Sequence, residues 1–271
     1  MSSKIKVDTI ENVAGSGNVS LGSGHNLVVP GTLSITGAST LTGNTTVSGT
    51  LGVGTTSPDG GLHVKGSSDH GRIVLESGGT SGSTNGTFMQ FHNHGGTEIA
   101  QIAIDEGASN EGQMIFKTGG TTTGMTIDKD GQITKPLQPY FNAKRDSAVQ
   151  LTSGTYQDIA FGSEFKDVGS NFDGTTFTAP VTGVYSFSIG VRLDNADTAA
   201  SYYNFWLLTS NRAYHQLRDL KFSSDSMFIF AMNVIADMDA NDTAKFQVNQ
   251  QGGSAQTNVN NSTFFMGYLL G

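Results

Sequence analysis

The C-terminal half of the chain is built around the run Gly183-Val184-Tyr185-Ser186-Phe187-Ser188-Ile189. Small or polar residues alternate here with aromatic and aliphatic ones, which is the pattern of a β-strand with one buried face. Similar runs recur over Tyr202–Leu208, Met227–Ile235, Thr243–Asn249 and Ser262–Leu270. Alternating runs at such intervals predict a β-sandwich or jelly roll.

One of these runs is apolar on both of its predicted faces. The two faces carry Tyr203, Phe205 and Leu207, and Tyr202, Trp206 and Leu208, respectively. Because a strand buried on both sides needs cover on both sides, we expect a neighbouring subunit to supply one of them. Trp206 is therefore predicted to be a core or subunit-interface aromatic, with a sugar-stacking platform as the alternative.

The same half of the chain resembles a known family of binding heads. The matching residues are Phe141 and Ala143, then Phe172, Gly174, Phe177, Pro180, Gly183, Tyr185 and Phe187, then Asp242 and Thr243, and finally Phe264, Gly267, Tyr268, Leu269 and Leu270. In their order and spacing they resemble the complement subcomponent q-type globular head, the jelly roll shared with the tumour necrosis factor superfamily. The resemblance implies a compact homotrimer used for recognition, and hence no enzymatic activity. Contacts between subunits are expected at Tyr185, Phe187, Trp206 and Tyr268.

A six-residue repeat precedes this head. Its apolar members are Val29, Ile35, Leu41, Val47 and Val53, and its glycines are Gly31, Gly37, Gly43 and Gly49. All these positions are odd-numbered, so they share one face of an extended chain. Since one copy cannot cover that face, we predict an intertwined homotrimeric β-stem over residues 29–57, with Ile35, Leu41, Val47 and Val53 as trimerisation residues. A single-chain β-helix and a disordered Ser/Thr/Gly linker are the alternatives.

Two short phrases resemble bacteriophage tail-fibre proteins. Lys4-Ile5-Lys6-Val7-Asp8-Thr9-Ile10-Glu11-Asn12 is similar to the opening of such proteins, especially those of cyanophages, whose N-terminus docks to the tail or baseplate. Leu51-Gly52-Val53-Gly54-Thr55-Thr56-Ser57-Pro58, followed by Leu62-His63-Val64, is similar to a junction phrase of fibre shafts. The resemblance implies that residues 1–28 attach to a tail or baseplate protein.

Residues 58–134 are predicted to form a small middle β domain of the shaft. Strands are expected at Arg72–Glu76, Thr87–His92, Ile99–Ile104, Gln113–Lys117 and Met125–Ile127, and Asp128–Gly131 reads as a hairpin turn onto Gln132–Thr134. The prolines of Lys135-Pro136-Leu137-Gln138-Pro139 disfavour both helix and central strand. The head is therefore taken as residues 135–271.

The run Phe91-His92-Asn93-His94-Gly95 is the sharpest local motif for chemistry. If Phe88–His94 is one strand, His92 and His94 point the same way, and three chains place six imidazoles around one axis. Octahedral nitrogen coordination favours iron or another transition metal such as nickel over zinc, and such pairs resemble iron sites of phage fibres. A pair of exposed loop histidines is the alternative, and no cofactor is otherwise expected.

The composition of the chain narrows the range of possible binding partners. Lys and Arg total 15 against 23 Asp and Glu, a formal charge of −8, which argues against nucleic acid. There is no cysteine and no apolar stretch long enough to cross a membrane, and residues 1–17 lack an apolar export signal, so release by lysis is expected.

Asp237, Asp239 and Asn241 fail the pattern of a calcium loop and indicate a solvated turn over Asp237–Asp242. The calcium site of the resembled family matches no single acidic residue, so calcium is left open.

Together these features predict an all-β, elongated homotrimeric fibre with an intertwined stem, a middle β domain and a jelly-roll head. We interpret it as a phage tail fibre, present in the virion and extracellular after lysis, that binds a host-surface glycan or outer-membrane protein. Receptor contacts are expected in polar turns, at Asp194, Asn195, Asp197, Asn211, Arg212, Ser224 and Asp225. A capsule or lipopolysaccharide depolymerase with paired carboxylates, and a structural baseplate component, are the alternatives.

Overall fold

The computed structural model describes residues 27–30, 32–36, 38–40, 42, 44–66, 72–76, 86–105, 112–221, 223, 225–254 and 256–271. This described part is all-β and contains no helix. None of its segments is a helix long and apolar enough to cross a membrane. Residues 1–26 of the predicted attachment segment, Leu41 and Ser224 lie outside it. The chain divides into two compact units, Met1–Val74 and Leu75–Gly271.

In the first unit, the predicted shaft phrase folds back on itself. Strands β1 (Leu51–Val53) and β2 (Leu62–Val64) pair in parallel, with Leu51 opposite Leu62. Gly54 permits the return, because its φ is +75° and an added Cβ would lie 2.1 Å from the carbonyl oxygen of Lys65. Before β1 the described residues contain no strand, and Ile35 and Val47 are exposed. The three-chain stem stays a prediction.

The second unit begins with a five-stranded antiparallel sheet whose strands follow one another in chain order. They are β3 (Thr87–His92), β4 (Glu98–Asp105), β5 (Gln113–Thr118), β6 (Thr122–Ile127) and β7 (Ile133–Thr134). The turn predicted between the last two strands is present: Asp128 Oδ1 accepts the backbone N–H of Gln132 at 2.8 Å, and Gly131 has φ +80°. Arg72–Glu76, expected as a strand, is not one.

The head adds two packed sheets. Its strands are β8 (Tyr140–Lys144), β9 (Val149–Gln150), β10 (Gln157–Asp158), β11 (Ser163–Val168), β12 (Thr176–Thr178), β13 (Gly183–Asp194), β14 (Tyr202–Thr209), β15 (Ala213–Arg218), β16 (Phe228–Met238), β17 (Thr243–Gln251), β18 (Asn258–Val259) and β19 (Phe264–Leu269). The seven-stranded sheet has the order β11-β8-β19-β13-β18-β9, with β16 also on β13. The five-stranded sheet has the order β10-β17-β14-β15, with β12 also on β17.

Aromatic side chains fill the space between the two sheets of the head. The ring of Phe141 lies 4.5 Å from that of Phe172 and 4.9 Å from that of Phe265. Tyr185 and Phe187, both fully buried, belong to the same cluster. These two residues therefore pack inside their own protomer, and the prediction that they contact another subunit is corrected. Alternation places them on an inward face, but it does not distinguish a core from an interface.

The long strand β13 separates two ends of the head. At its start, the backbone N–H of Val184 donates to the carbonyl of Gly271 at 2.9 Å, and that of Leu269 donates to Pro139 at 3.0 Å. We call this the entry end, because the chain enters the head there. The strand runs 12 residues to Asp194, about 36 Å for an extended chain. Asp194 therefore lies at the opposite, or far, end.

Candidate functional site

The residues predicted to contact a receptor lie at both ends of the head. Asp194, Asn195 and Asp197 follow β13 at the far end, where the backbone N–H of Ala196 donates to the carbonyl of Ser226, next to Asp225. Asn211 and Arg212 are at the entry end: the side-chain amide of Asn211 donates to Asp242, in the turn whose Ala240 N–H donates to Thr182, just before β13. The predicted loops therefore do not form one surface.

At the far end, polar side chains surround a cleft of about 300 Å³. Its lining includes Arg192, Asp194, Asn195, Met227 and Asn258. The guanidinium Nε of Arg192 donates to Asp194 Oδ1 at 2.8 Å. The side-chain amide of Asn260 donates to Oδ2 of the same carboxylate. Because the charges are paired, the cleft offers oriented donors and acceptors, which suit a hydroxylated or otherwise polar ligand.

Asp197 supports these far-end loops from beneath. The residue is only 6% exposed, and its Oδ1 accepts the backbone N–H of Ala199 at 2.8 Å. Its own N–H donates to the hydroxyls of Tyr203 at 2.8 Å and Thr257 at 3.0 Å. Burial raises the pKa of the Tyr203 phenol, which stays protonated and able to donate. Asp197 therefore supports the far-end loops from inside the head. The prediction that it contacts a receptor directly is corrected.

The seven-stranded sheet exposes an apolar outer face. Ile229 is 74% exposed and Ile235 is 66% exposed, although both lie in the long paired strand β16. Phe264, Met266 and Tyr268 share this face on β19. Gly190 makes room there, since a Cβ on it would lie 2.2 Å from the ring of Phe264. We call these five apolar residues the apolar face, and a contiguous patch of this kind is typical of an association surface.

Trp206 lies on the outer face of the other sheet. Its neighbours come from its own chain: Tyr156 packs edge-on at 5.0 Å between ring centroids, and His215 stacks at 5.4 Å. The cover that we expected from another subunit is therefore partly supplied by the loop before β10. Tyr268 and Trp206, both predicted as trimer contacts, lie on the outer faces of different sheets.

The two histidines of the predicted metal site, His92 and His94, do not lie on one strand as predicted. Strand β3 ends at His92, with a register shift after Phe91, and His94 lies in the following turn. His92 Nδ1 lies 2.8 Å from the carbonyl oxygen of Gly96. The premise of one strand through His94 is thus corrected. Within the described residues of one chain, no group of three or more His, Cys, Asp or Glu is arranged to hold a metal ion. A metal site would need ligands from several copies.

The head matches a known domain family. Residues 140–270 match the family described as the C1q domain, which confirms the predicted jelly-roll head. The chain thus carries a C1q/TNF-like jelly-roll domain over these residues. Domains of this class usually assemble into homotrimers, often mediate binding, and are typically not enzymes.

Similar solved structures cover the same half of the chain. The globular domain of zebrafish complement 1qA protein is 17% identical, with a TM-score of 0.40, over 49% of this chain and 98% of that one. The crystal structure of murine APRIL at pH 5.0 is 10% identical, with a TM-score of 0.38. The crystal structure of the same protein at pH 8.0 is 11% identical, with a TM-score of 0.37. Each APRIL match covers 49% of this chain and 99% of the other. No curated protein sequence matches the chain.

Proposed function

We propose that the chain is the subunit of a homotrimeric bacteriophage tail fibre whose jelly-roll head binds the bacterial host surface. The observation that carries the proposal is a recognition-type head that follows a six-residue apolar repeat. Its support is the tail-fibre phrases at residues 4–12 and 51–64, together with the apolar face of the head. On this proposal residues 1–28 anchor the fibre to a tail or baseplate protein of the virion.

The apolar face supports the homotrimer. A monomeric head leaves two isoleucines of one strand largely in water, whereas association of copies through this face buries them. A further strand paired at an edge of the seven-stranded sheet would extend the sheet and would not cover this face. Face-to-face packing against another copy satisfies the geometry and agrees with the usual homotrimers of this domain class.

The far-end cleft supports host binding by the proposed fibre. It opens at the end of the head opposite the chain entry, where a host-surface glycan or an outer-membrane protein can reach it. A single cleft lined by paired polar groups binds weakly, and three heads per fibre raise the overall avidity. Release of the assembled virion by lysis then places the fibre outside the cell.

A depolymerase on the same fibre is less well supported. Two far-end carboxylates are close in sequence: Asp194 is held by Arg192 and Asn260, and Asp197 is buried under the loops. They do not form an open acid pair flanking one cleft. Incubation with host capsule or lipopolysaccharide followed by an assay for new reducing ends tests this alternative directly.

Adsorption to cells tests the proposed function. The fluorescently labelled full-length protein is expected to bind some strains in a panel of cyanobacteria, and Asn195→Ala and Asn258→Ala are expected to weaken that binding. Arg212→Ala, at the entry end, is the matched control and is expected to bind like the wild type. Failure of the wild type to bind any strain, while it binds isolated phage tails, favours a structural baseplate role instead.

A further inference from the structure

We propose that the outer face of the five-stranded head sheet carries a binding site for a neutral saccharide, formed by Tyr156, Asn204, Trp206 and Asn249. A neutral saccharide is a more specific ligand class than the host-surface glycan or protein of the proposed function. Only the source of that saccharide, the host surface, rests on the proposed function. It is separate from the far-end cleft, which is lined by residues of other loops.

Three aromatic rings form the floor of the saccharide site. Trp206 lies between Tyr156, whose ring centroid is 5.0 Å away at 64°, and His215, which stacks at 5.4 Å and 22°. Tyr156 is 44% exposed, and His215 is also exposed. Pyranose rings carry one face of C–H groups, and such a face packs on aromatic rings that remain accessible to solvent.

Several polar atoms of the buried side chains beside these rings have no hydrogen-bond partner among the described residues. Asn204 and Asn249 face each other across β14 and β17 and are only 7% and 1% exposed. Among the described residues, no hydrogen-bond partner is found for Asn204 Oδ1, for either side-chain polar atom of Asn249, or for Trp206 Nε1. Buried polar groups without partners cost free energy. A ligand that presents several hydroxyls can both donate to and accept from this set, which an apolar protein surface cannot do.

Tyr156 acts as the movable cover of the saccharide site. Its hydroxyl accepts a long 3.3 Å hydrogen bond from the Asn204 amide, so the side chain lies beside that amide as well as beside Trp206. Rotation of this exposed side chain away from the sheet opens Asn204 and Asn249 to a ligand. The Tyr156 ring then packs on the sugar instead of edge-on against Trp206.

The charges around the saccharide site favour a neutral ligand. Asp158 accepts from Lys245 Nζ at 2.9 Å and from Gln247 Nε2 at 2.6 Å, so the nearby carboxylate and ammonium compensate each other. The site also lies on the sheet opposite the apolar face. Association of copies through the apolar face therefore leaves it open.

Fluorescence reports on this site alone, because Trp206 is the only tryptophan of the chain. The full-length protein is titrated with glucose, galactose, mannose, N-acetylglucosamine and, as a charged comparison, sialic acid. A saturable change of the emission with a neutral sugar, and a weaker one with sialic acid, is expected. Tyr156→Ala is expected to weaken the binding roughly tenfold, since one stacked ring is lost. Asn249→Ala is expected to do the same.

Two controls keep the proposal falsifiable. Asn233→Ala, an exposed amide on the seven-stranded sheet, is expected to bind sugar like the wild type, and Tyr156→Phe tests the hydroxyl without removing the ring. No saturable emission change with any neutral sugar overturns the saccharide site. So does unchanged affinity in Tyr156→Ala and Asn249→Ala.

The failure of this site is distinguishable from failure of the proposed function. Cell adsorption that survives Tyr156→Ala but is lost in Asn195→Ala overturns the saccharide site as a receptor site and leaves the fibre function standing. Sugar binding by a protein that adsorbs to no cell supports the saccharide site and overturns the host-binding role.

Discussion

The phenolic oxygen of Tyr203 and the hydroxyl oxygen of Thr257 lie 2.6 Å apart in the interior of the head. Both hydroxyls also accept the backbone N–H of Asp197, so three far-end segments meet at one buried polar point. Because each of these groups is removed from water, its hydrogen bonds are needed to offset desolvation. The shape of the far-end cleft therefore depends on residues that do not line it.

Tyr203→Phe is expected to destabilise the protein by about 1–3 kcal/mol, because it leaves the Asp197 N–H and the Thr257 hydroxyl short of a buried partner. Chemical unfolding measures the loss, and hydrogen exchange locates it in residues 195–201. Tyr185→Phe is the matched control: its hydroxyl donates to Val181 at the entry end, at 2.7 Å. Equal loosening of the far-end loops by both substitutions would contradict the assignment.

Gly253→Ala is expected to disturb the same loops for a steric reason. The residue has φ +78°, and an added Cβ would lie 2.1 Å from Asp197 Oδ2. Gly154 has nearly the same φ, +79°, but open space around its Cβ position. Gly154→Ala therefore reports the backbone strain alone, about 1 kcal/mol, and Gly253→Ala adds a clash of similar or larger size. Thermal unfolding compares the two, and equal losses would show that the clash is relieved.

Local pattern was enough to predict most strands of this chain. Alternation marked the strands around Tyr185 and Phe265, and the Asp128 turn was readable from its residues alone. These features depend on neighbours within a few positions. The jelly roll itself followed from the order of its signature residues, which the match to the C1q domain confirms.

The features of the sites depend on distant parts of the chain. Asp197 looked like an exposed loop carboxylate, but its burial comes from Thr257, 60 residues later. Trp206 was expected to need a partner subunit, but Tyr156, 50 positions earlier, packs on it. The buried amides Asn204 and Asn249 were missed, because only their register across two strands brings them together. Period-two alternation placed both on the outer face and thus hid their burial.

Asp242 makes the stability of the head depend on pH in the acid range. The backbone N–H of Asp239 chiefly holds the pKa of this carboxyl below its ordinary value of 3.8, helped by the side chains of Ser210 and Asn211. A lowered folded pKa stabilises the protein above the unfolded pKa, and that stabilisation is lost as the pH falls through the folded value. Asp242→Asn should therefore unfold at lower urea than the wild type at neutral pH, with the gap closing in acid. A gap independent of pH would contradict this linkage.

The histidine site stays a proposal that elemental analysis can test. If three copies bring His92 and His94 to one axis, the full-length protein purified without chelators is expected to hold about one iron or nickel ion per three chains. His92→Ala and His94→Ala should each abolish it, whereas His215→Ala, in the head, should not. Less than one equivalent in the wild type would leave both residues as exposed histidines that share no metal ion.

Charges placed on the apolar face are expected to separate the copies of the head. In the isolated head, residues 135–271, Ile229→Lys and Ile235→Lys each replace an isoleucine whose burial contributes about 1–2 kcal/mol per copy, and each places an ammonium group in the contact. The mass measured by light scattering should fall from that of three chains to that of one.

Leu217→Lys is the matched control for this change. Leu217 is 50% exposed on the outer face of the other head sheet, so its substitution adds the same charge to a surface that the trimer leaves free. This variant should keep the mass of three chains. A wild-type head that is monomeric at micromolar concentration, or a Leu217→Lys head that dissociates as readily as Ile235→Lys, would contradict association through the apolar face.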